Sequence, residues 1–365
     1  MKKLFYFAAA AMAIAACTKT EVNDVETLNA ISFQPASQVS TKVTGAEFPK
    51  TDSFGTYAWT AGTTGEYFIN NEEVSFVNDV WTTATPYYWP KNQSVDFFSY
   101  YPYNATGAVP TVTKTKINYN DVNYESTQLD IMYADKAVAF TDNADQVEDG
   151  QSALTGVPTF FRHAGAKVKV NVILGVNTKE ETDGTVTKWE VTLKSCVLSG
   201  LYIQGSCELT LSDENATGLV AWNKPTGNVW TNNTVTNDQT IEMYRSRQVY
   251  NLVPNQGVEA ISTFYVLPQT LTAGQQRINL VFDVETYRKA PGATEFTKVL
   301  TQTDIAAATD LRINTSDLNQ ILAWQMNQNI TYNITIGPAG KQITFDPAID
   351  AWENKTVSTN IELEI

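Results

Sequence analysis

Apolar and polar residues alternate with a period of two along most of this chain. The clearest internal case lies in "VPTFFRHAGAKVKVNVILGV", where Ala166, Val168, Val170 and Val172 fall on one face. The last ten residues, "TVSTNIELEI", repeat the pattern: Val357, Thr359, Ile361, Leu363 and Ile365 point one way, and Thr356, Ser358, Asn360, Glu362 and Glu364 the other. Side chains alternate across a strand, so each stretch predicts a β-strand with one apolar face. "LNAISF" (Leu28–Phe33) reads as a first strand with Ile31 and Phe33 together, and the Pro/Ser/Thr/Gly stretch after it as a loop. "SFGTYAWT" reads as a strand, and "EEVSFVNDVWTT" as a hairpin turning at Asn78-Asp79. "YYWPKNQSVDFFSYYPY", "LDIMYADKAVAF", "WEVTLKSCVLSGLYIQGSCELTL", "STFYVLPQTL", "QRINLVFDVETY", "TYNITI" and "KQITFD" add further short strands between turn residues. Only Thr315–Gln325 carries a helical stripe, Leu318, Ile321 and Leu322, behind Ser316 as N-cap. Many short strands and at most one short helix predict an all-β chain of sandwich-type domains. The length of 365 residues allows two. The division falls near residue 157, giving 28–157 and 158–365.

The N-terminus adds a compartment. Lys2 and Lys3 precede an apolar run too short to span a membrane, which marks a secretory signal over residues 1–17. Its end, Ile14-Ala15-Ala16-Cys17, resembles a bacterial lipobox. That pattern implies cleavage before Cys17 and a lipid on its sulfur, against the plainer reading of an ordinary signal with a chance cysteine. Each buried CH₂ contributes about 0.8 kcal/mol, so a multiply acylated end is a stable tether. Residues 18–27 are polar and read as a flexible spacer. The formal net charge of −14 argues against nucleic acid and against an electrostatic grip on anionic lipid.

Candidate chemistry is sparse. The single histidine, His163, has no visible nucleophile or metal motif beside it and reads as structural. No hydrolase, zinc or phosphate-loop motif appears, and no cofactor is expected. Carboxylates are numerous, but none is singled out as a glycosidase pair. The reading is therefore not an enzyme. The aromatic run from Tyr87 to Tyr103 is either a core alternating across a sheet or a surface for stacking sugars, and the core is the commoner use. Cys196 and Cys207 flank a short Gly-containing segment. They are either a bridge across a hairpin, which an oxidising compartment permits, or two buried free thiols.

Taken in order, several stretches resemble the fimbrillin family of Bacteroidales lipoproteins, the subunits of type V pili. They are "STKVTGAEFPKTDSFGTYAW", with Lys42, Thr44-Gly45, Asp52 and Gly55-Thr56-Tyr57-Ala58, then "LDIMYAD", "FRHAGAKVKVNV" and "NQNITYNITI" followed by "ITFDPAIDAW". The resemblance implies two transthyretin-like β-sandwich domains. It implies a precursor anchored in the outer membrane and displayed at the cell surface. Cutting after a basic residue then removes the first strand, and the C-terminal strand of another subunit fills the gap. Lys42 matches the processing position, where many relatives have arginine; Lys50, preceded by Pro49, is the weaker candidate. The implied partners are other pilus subunits, and the role as stalk, tip or anchor stays open.

The pattern of the last residues suits that use independently. An added strand binds through main-chain hydrogen bonds with alternate side chains in pockets. Burying Val357, Ile361, Leu363 and Ile365 at ~1.5–3 kcal/mol each gives roughly 6–12 kcal/mol before association costs. The alternative is that residues 357–365 close their own domain in cis. A second functional class, a surface glycan-binding lipoprotein, shares the signal, the β-domains and the aromatic content.

Overall fold

The computed structural model describes residues 30–37, 48–61, 65–141, 156–210, 221–223, 226–235, 242–313, 320–337 and 353–362. In chain order the strands begin β1 Phe33–Ser37, β2 Phe54–Thr60, β3 Ile69–Val77, β4 Val80–Thr83, β5 Val95–Tyr101, β6 Thr111–Val112 and β7 Lys116–Asn123. After one helical turn, α1 Tyr124–Thr127, come β8 Met132–Ala134, β9 Lys136–Phe140, β10 Val157–His163, β11 Ala166–Leu174, β12 Thr178–Glu180, β13 Val186–Ser199 and β14 Tyr202–Thr210. The remainder are β15 Ala221–Asn223, β16 Thr226–Val235, β17 Glu242–Ser246, β18 Tyr250–Asn251, β19 Gly257–Val266, β20 Gln269–Thr270, β21 Arg277–Lys289, β22 Thr297–Asp310, β23 Ala323–Trp324, β24 Gln328–Gly337 and β25 Glu353–Glu362. The protein is all-β and sandwich-type, with one short helix among the described residues.

The first sheet runs β15-β9-β5-β2-β3-β4-β1-β10-β8, and β8 also pairs with β5. The seven strands from β5 round to β8 therefore form a closed ring. Phe33, Phe54, Phe97, Val157 and Phe161 belong to a buried cluster within these strands. Tyr57, Trp59, Phe98 and Tyr100, on the opposite faces of β2 and β5, join a second buried cluster with Ile117, Tyr119, Cys207 and Leu209 of the sheet β16-β14-β7-β6. β2 and β5 are thus covered on both faces, which explains their nearly unbroken apolar character. This second sheet joins β7 to β14 and β16, and β10 lies beside β1, so strand pairing crosses residue 157 in both directions.

A second sandwich packs β12-β13-β21-β22, with β17 and β18 on β13, against β19-β11-β24-β25. Its core takes Val168, Val170 and Val172 from β11, Phe282 and Val284 from β21, and Ile330, Tyr332, Ile334 and Ile336 from β24. β11 alternates buried and half-buried along its whole length, as its sequence pattern predicts. The hairpin at Asn78-Asp79 also forms. Both residues adopt positive φ, 50° and 65°, the backbone required by a two-residue turn that matches strand twist.

Two local expectations are corrected. The helix over 315–325 does not form in its described part, residues 320–325: Ile321 bridges Ile313, and Ala323–Trp324 pairs with β20. Ile321 and Trp324 are buried while Leu322 is exposed, so the apolar stripe is spent in extended packing against the second core. The strand expected over Leu28–Phe33 is also displaced: upstream Ala30 makes only an isolated bridge to Tyr88, while β1 begins at Phe33 and runs to Ser37 through residues read as loop. Beyond Phe33 its register has β10 alone as partner, and an edge position tolerates Pro35, which lacks an N–H.

Candidate assembly site

β1 is the element on which the site is built. It lies between β4 and β10, parallel to β10 from Phe33↔Val157 to Ser37↔Phe161, and it meets β4 antiparallel at Phe33↔Trp81. Just upstream, Ile31 N donates to Tyr87 O at 2.7 Å, and Val157 N donates to Ser32 O at 2.8 Å. Ile31 and Phe33 are 1% and 4% exposed, so this strand seals the first core. The Phe33 ring stands edge-on to Phe54 at 5.9 Å and to Phe97 at 5.8 Å. Phe48, also buried, anchors the chain downstream, with its ring 5.1–5.7 Å from Phe54, Trp81, Tyr101 and Phe161. A cavity of about 310 Å³ lies alongside, lined by Ser32–Pro35 of the N-terminal segment, Phe48, Lys50 and Asp79–Trp81.

Of the basic candidates, Lys50 is exposed and sits 4.7 Å from the centre of the Phe76 ring. Lys42 and Cys17 lie outside the described residues, as do the signal and the spacer. Residues 353–362 form β25 at the end of its sheet, parallel to β24, with Tyr332↔Val357, Ile334↔Thr359 and Ile336↔Ile361 in register. Leu363 and Ile365 lie outside the described residues.

Cys196 and Cys207 are both free thiols. They sit in different cores, on β13 and β14, because the chain turns at Leu201 from one sheet into another. Burial drives the Cys196 thiol upward; burial first, then the Glu208 carboxylate, pushes Cys207 up to about 12. Burial likewise raises the phenols of Tyr119 and Tyr332.

The aromatic run lies largely in the interior: Phe97, Phe98 and Tyr100 are buried, and Trp89 packs edge-on against Phe97 at 5.7 Å. His163 ends β10 with Nδ1 2.7 Å from Asp130 Oδ1. The neighbouring Arg162 holds the buried Asp135 through two bonds of 2.7 Å. That pair was missed in the sequence, and its only trace is a lone arginine and a lone aspartate 27 positions apart.

The sequence model of the fimbrillin-like family matches residues 41–352. This chain belongs to that family. No curated protein sequence matches it. Among solved structures it is similar to a candidate cell adhesion protein from Bacteroides uniformis, at 18% identity, 84% of this chain, 94% of that one and a TM-score of 0.40. It is similar also to another from Parabacteroides distasonis, at 12%, 85%, 93% and 0.41. A third is the fimbrial anchor protein Mfa2 from Porphyromonas gingivalis, at 15%, 69%, 76% and 0.26.

Proposed function

We propose that this fimbrillin-like chain is a structural subunit of a surface pilus that serves adhesion. In this reading it is exported as a lipoprotein acylated at Cys17 and folds as two β-domains. It is cut after Lys42, and it polymerises when residues 357–365 of another subunit enter the place of β1. Val357, Thr359, Ile361, Leu363 and Ile365 form the inward row of the donor.

One observation carries the reading. An N-terminal strand that precedes the cut site is a stave inside a closed sheet rather than an appendage. Its loss bares the edges of β4 and β10 and uncovers the apolar surface that Ile31 and Phe33 cover. Bare edges over an apolar floor invite strand addition. Repeating that contact head to tail extends a filament.

Limited trypsin digestion with N-terminal sequencing tests the processing step. The first new N-terminus is expected at Val43, and Lys42→Ala abolishes it. The cut protein then gives an SDS-resistant ladder, and deleting 357–365 stops its growth. A first cut elsewhere, or a ladder unaffected by the deletion, refutes the proposal.

A further inference from the structure

The parallel ladders of this fold share one chain segment. β1 pairs in parallel with β10 over five registered residues. After Ala164 and Gly165, the chain continues as β11, which pairs in parallel with β24 over eight. β24 in turn pairs in parallel with β25 over ten. Antiparallel neighbours predominate elsewhere in these sheets.

Direction matters when a chain is pulled. β1 is reached from its N-terminal end and β25 from its C-terminal end. Tension applied through the two chain ends therefore draws β1 one way along β10 and β25 the other way along β24. Sliding two parallel strands past each other loads all their hydrogen bonds together, whereas peeling breaks them one at a time. We infer that Val157–Leu174 is the force-carrying spine of this protein, joining two shear-loaded ladders into one tensile element.

The weak point of such a spine is the bend between its halves, and that bend is braced from several sides. Trp230 Nε1 donates to Ala164 O at 2.9 Å. Asn327 N donates to Gly165 O at 3.0 Å. His163 Nδ1 meets Asp130 Oδ1 at 2.7 Å. The Gln128 side chain spans from α1 to β19, donating to Tyr265 O at 3.0 Å and accepting from Tyr265 N at 3.2 Å. Gly165 is required at the turn, because a Cβ there would stand 2.8 Å from the Tyr124 hydroxyl oxygen. These braces come from β7–β8 connections, β16, β19 and the approach to β24, so neither half of the spine moves alone.

Strand exchange gives the spine its use, since an incoming strand that runs as β1 does is held by the same shear geometry. The mechanical claim is testable without exchange, because β1 and β25 occupy their own places in the single chain. Single-molecule force spectroscopy on the full chain held by its two ends is compared with the chain held by cysteine handles at Ser37 and Lys167. The second geometry pulls the β1–β10 ladder from one end. Cys196 and Cys207 are buried and do not compete for the handles, and Cys17 is replaced by alanine in the pulled chain. Forced unfolding reads the barrier rather than equilibrium stability. The expected rupture force is several times higher through the chain ends, and the Gln128→Ala and Trp230→Phe double variant, which removes the side-chain braces on Tyr265 and Ala164, lowers it there while leaving the peeling force unchanged. Equal forces in the two geometries overturn the inference. A failed SDS-resistant ladder with high end-to-end force would instead refute strand exchange and leave the spine standing.

Discussion

Phe33→Ala separates the two states of the N-terminal strand. The ring is 4% exposed and stands edge-on to Phe54 and Phe97. Truncating a buried phenylalanine costs about 3–5 kcal/mol, through lost transfer energy and the cavity left behind. The two edge-on pairs, at ~0.5–1.5 kcal/mol each, are part of that loss. The uncut precursor should therefore unfold at lower urea, with an unchanged slope and a stability deficit of about 3–5 kcal/mol. Cutting after Lys42 and releasing β1 leaves the wild-type and variant chains chemically identical, so the deficit must vanish. Before release, the weakened strand gives way sooner. A labelled peptide of residues 353–365 should then enter the cut variant faster than the cut wild type, by up to roughly two to three and a half orders of magnitude at about 1.4 kcal/mol per tenfold. As a control, Ile334→Ala, fully buried on β24, should cost about 2–5 kcal/mol both before and after the cut. An unaltered precursor would mean that Phe33 does not seal the core. A deficit that survives cutting would mean that β1 stays bound.

Arg162→Leu leaves Asp135, with its side chain 2% exposed, without its guanidinium, and should cost about 3–5 kcal/mol in urea unfolding. Adding Asp135→Leu should restore most of that loss; a double variant no better than the single one refutes the pairing argument. The raised thiols set a second test. In the unfolded chain a cysteine loses its proton near its ordinary value of 9.0, while folded Cys207 keeps it to about 12. Above pH 9 the native state therefore binds more protons than the unfolded state, and stability should fall as pH rises through that window. A Cys207→Ala variant should show a shallower fall. Neither Cys196 nor Cys207 should react with a thiol reagent at pH 8 until urea unfolds the chain, and rapid native labelling would contradict their burial.

Local pattern was enough for whatever depends on neighbours in sequence. β11 was legible because one face meets a core and the other does not, so Ala166, Val168, Val170 and Val172 stand out. The Asn78-Asp79 turn was legible because few residues accept positive φ. The alternation of the terminal strand was legible in the same way, and residues 353–362 form β25; Lys42 and Cys17 rest on resemblance and lie outside the described residues. Whatever depends on distant partners was not legible. β22 escaped notice because much of it is exposed on both faces, which leaves no period to read. Leu318, Ile321 and Leu322 mimicked a helical stripe because spacing cannot say that Ile321 is buried in extended packing while Leu322 is exposed. The separation of Cys196 from Cys207, the Arg162–Asp135 pair and the closing contact of β8 with β5 each join groups whose meeting depends on the whole chain path. The sequence marks Ile31 and Phe33 as one apolar face; only the closed ring makes β1, which starts at Phe33, a stave between β4 and β10. That difference is physical: a strand's period records what each residue faces, whereas its place in a sheet depends on hydrogen bonds made by a backbone that is the same at every position.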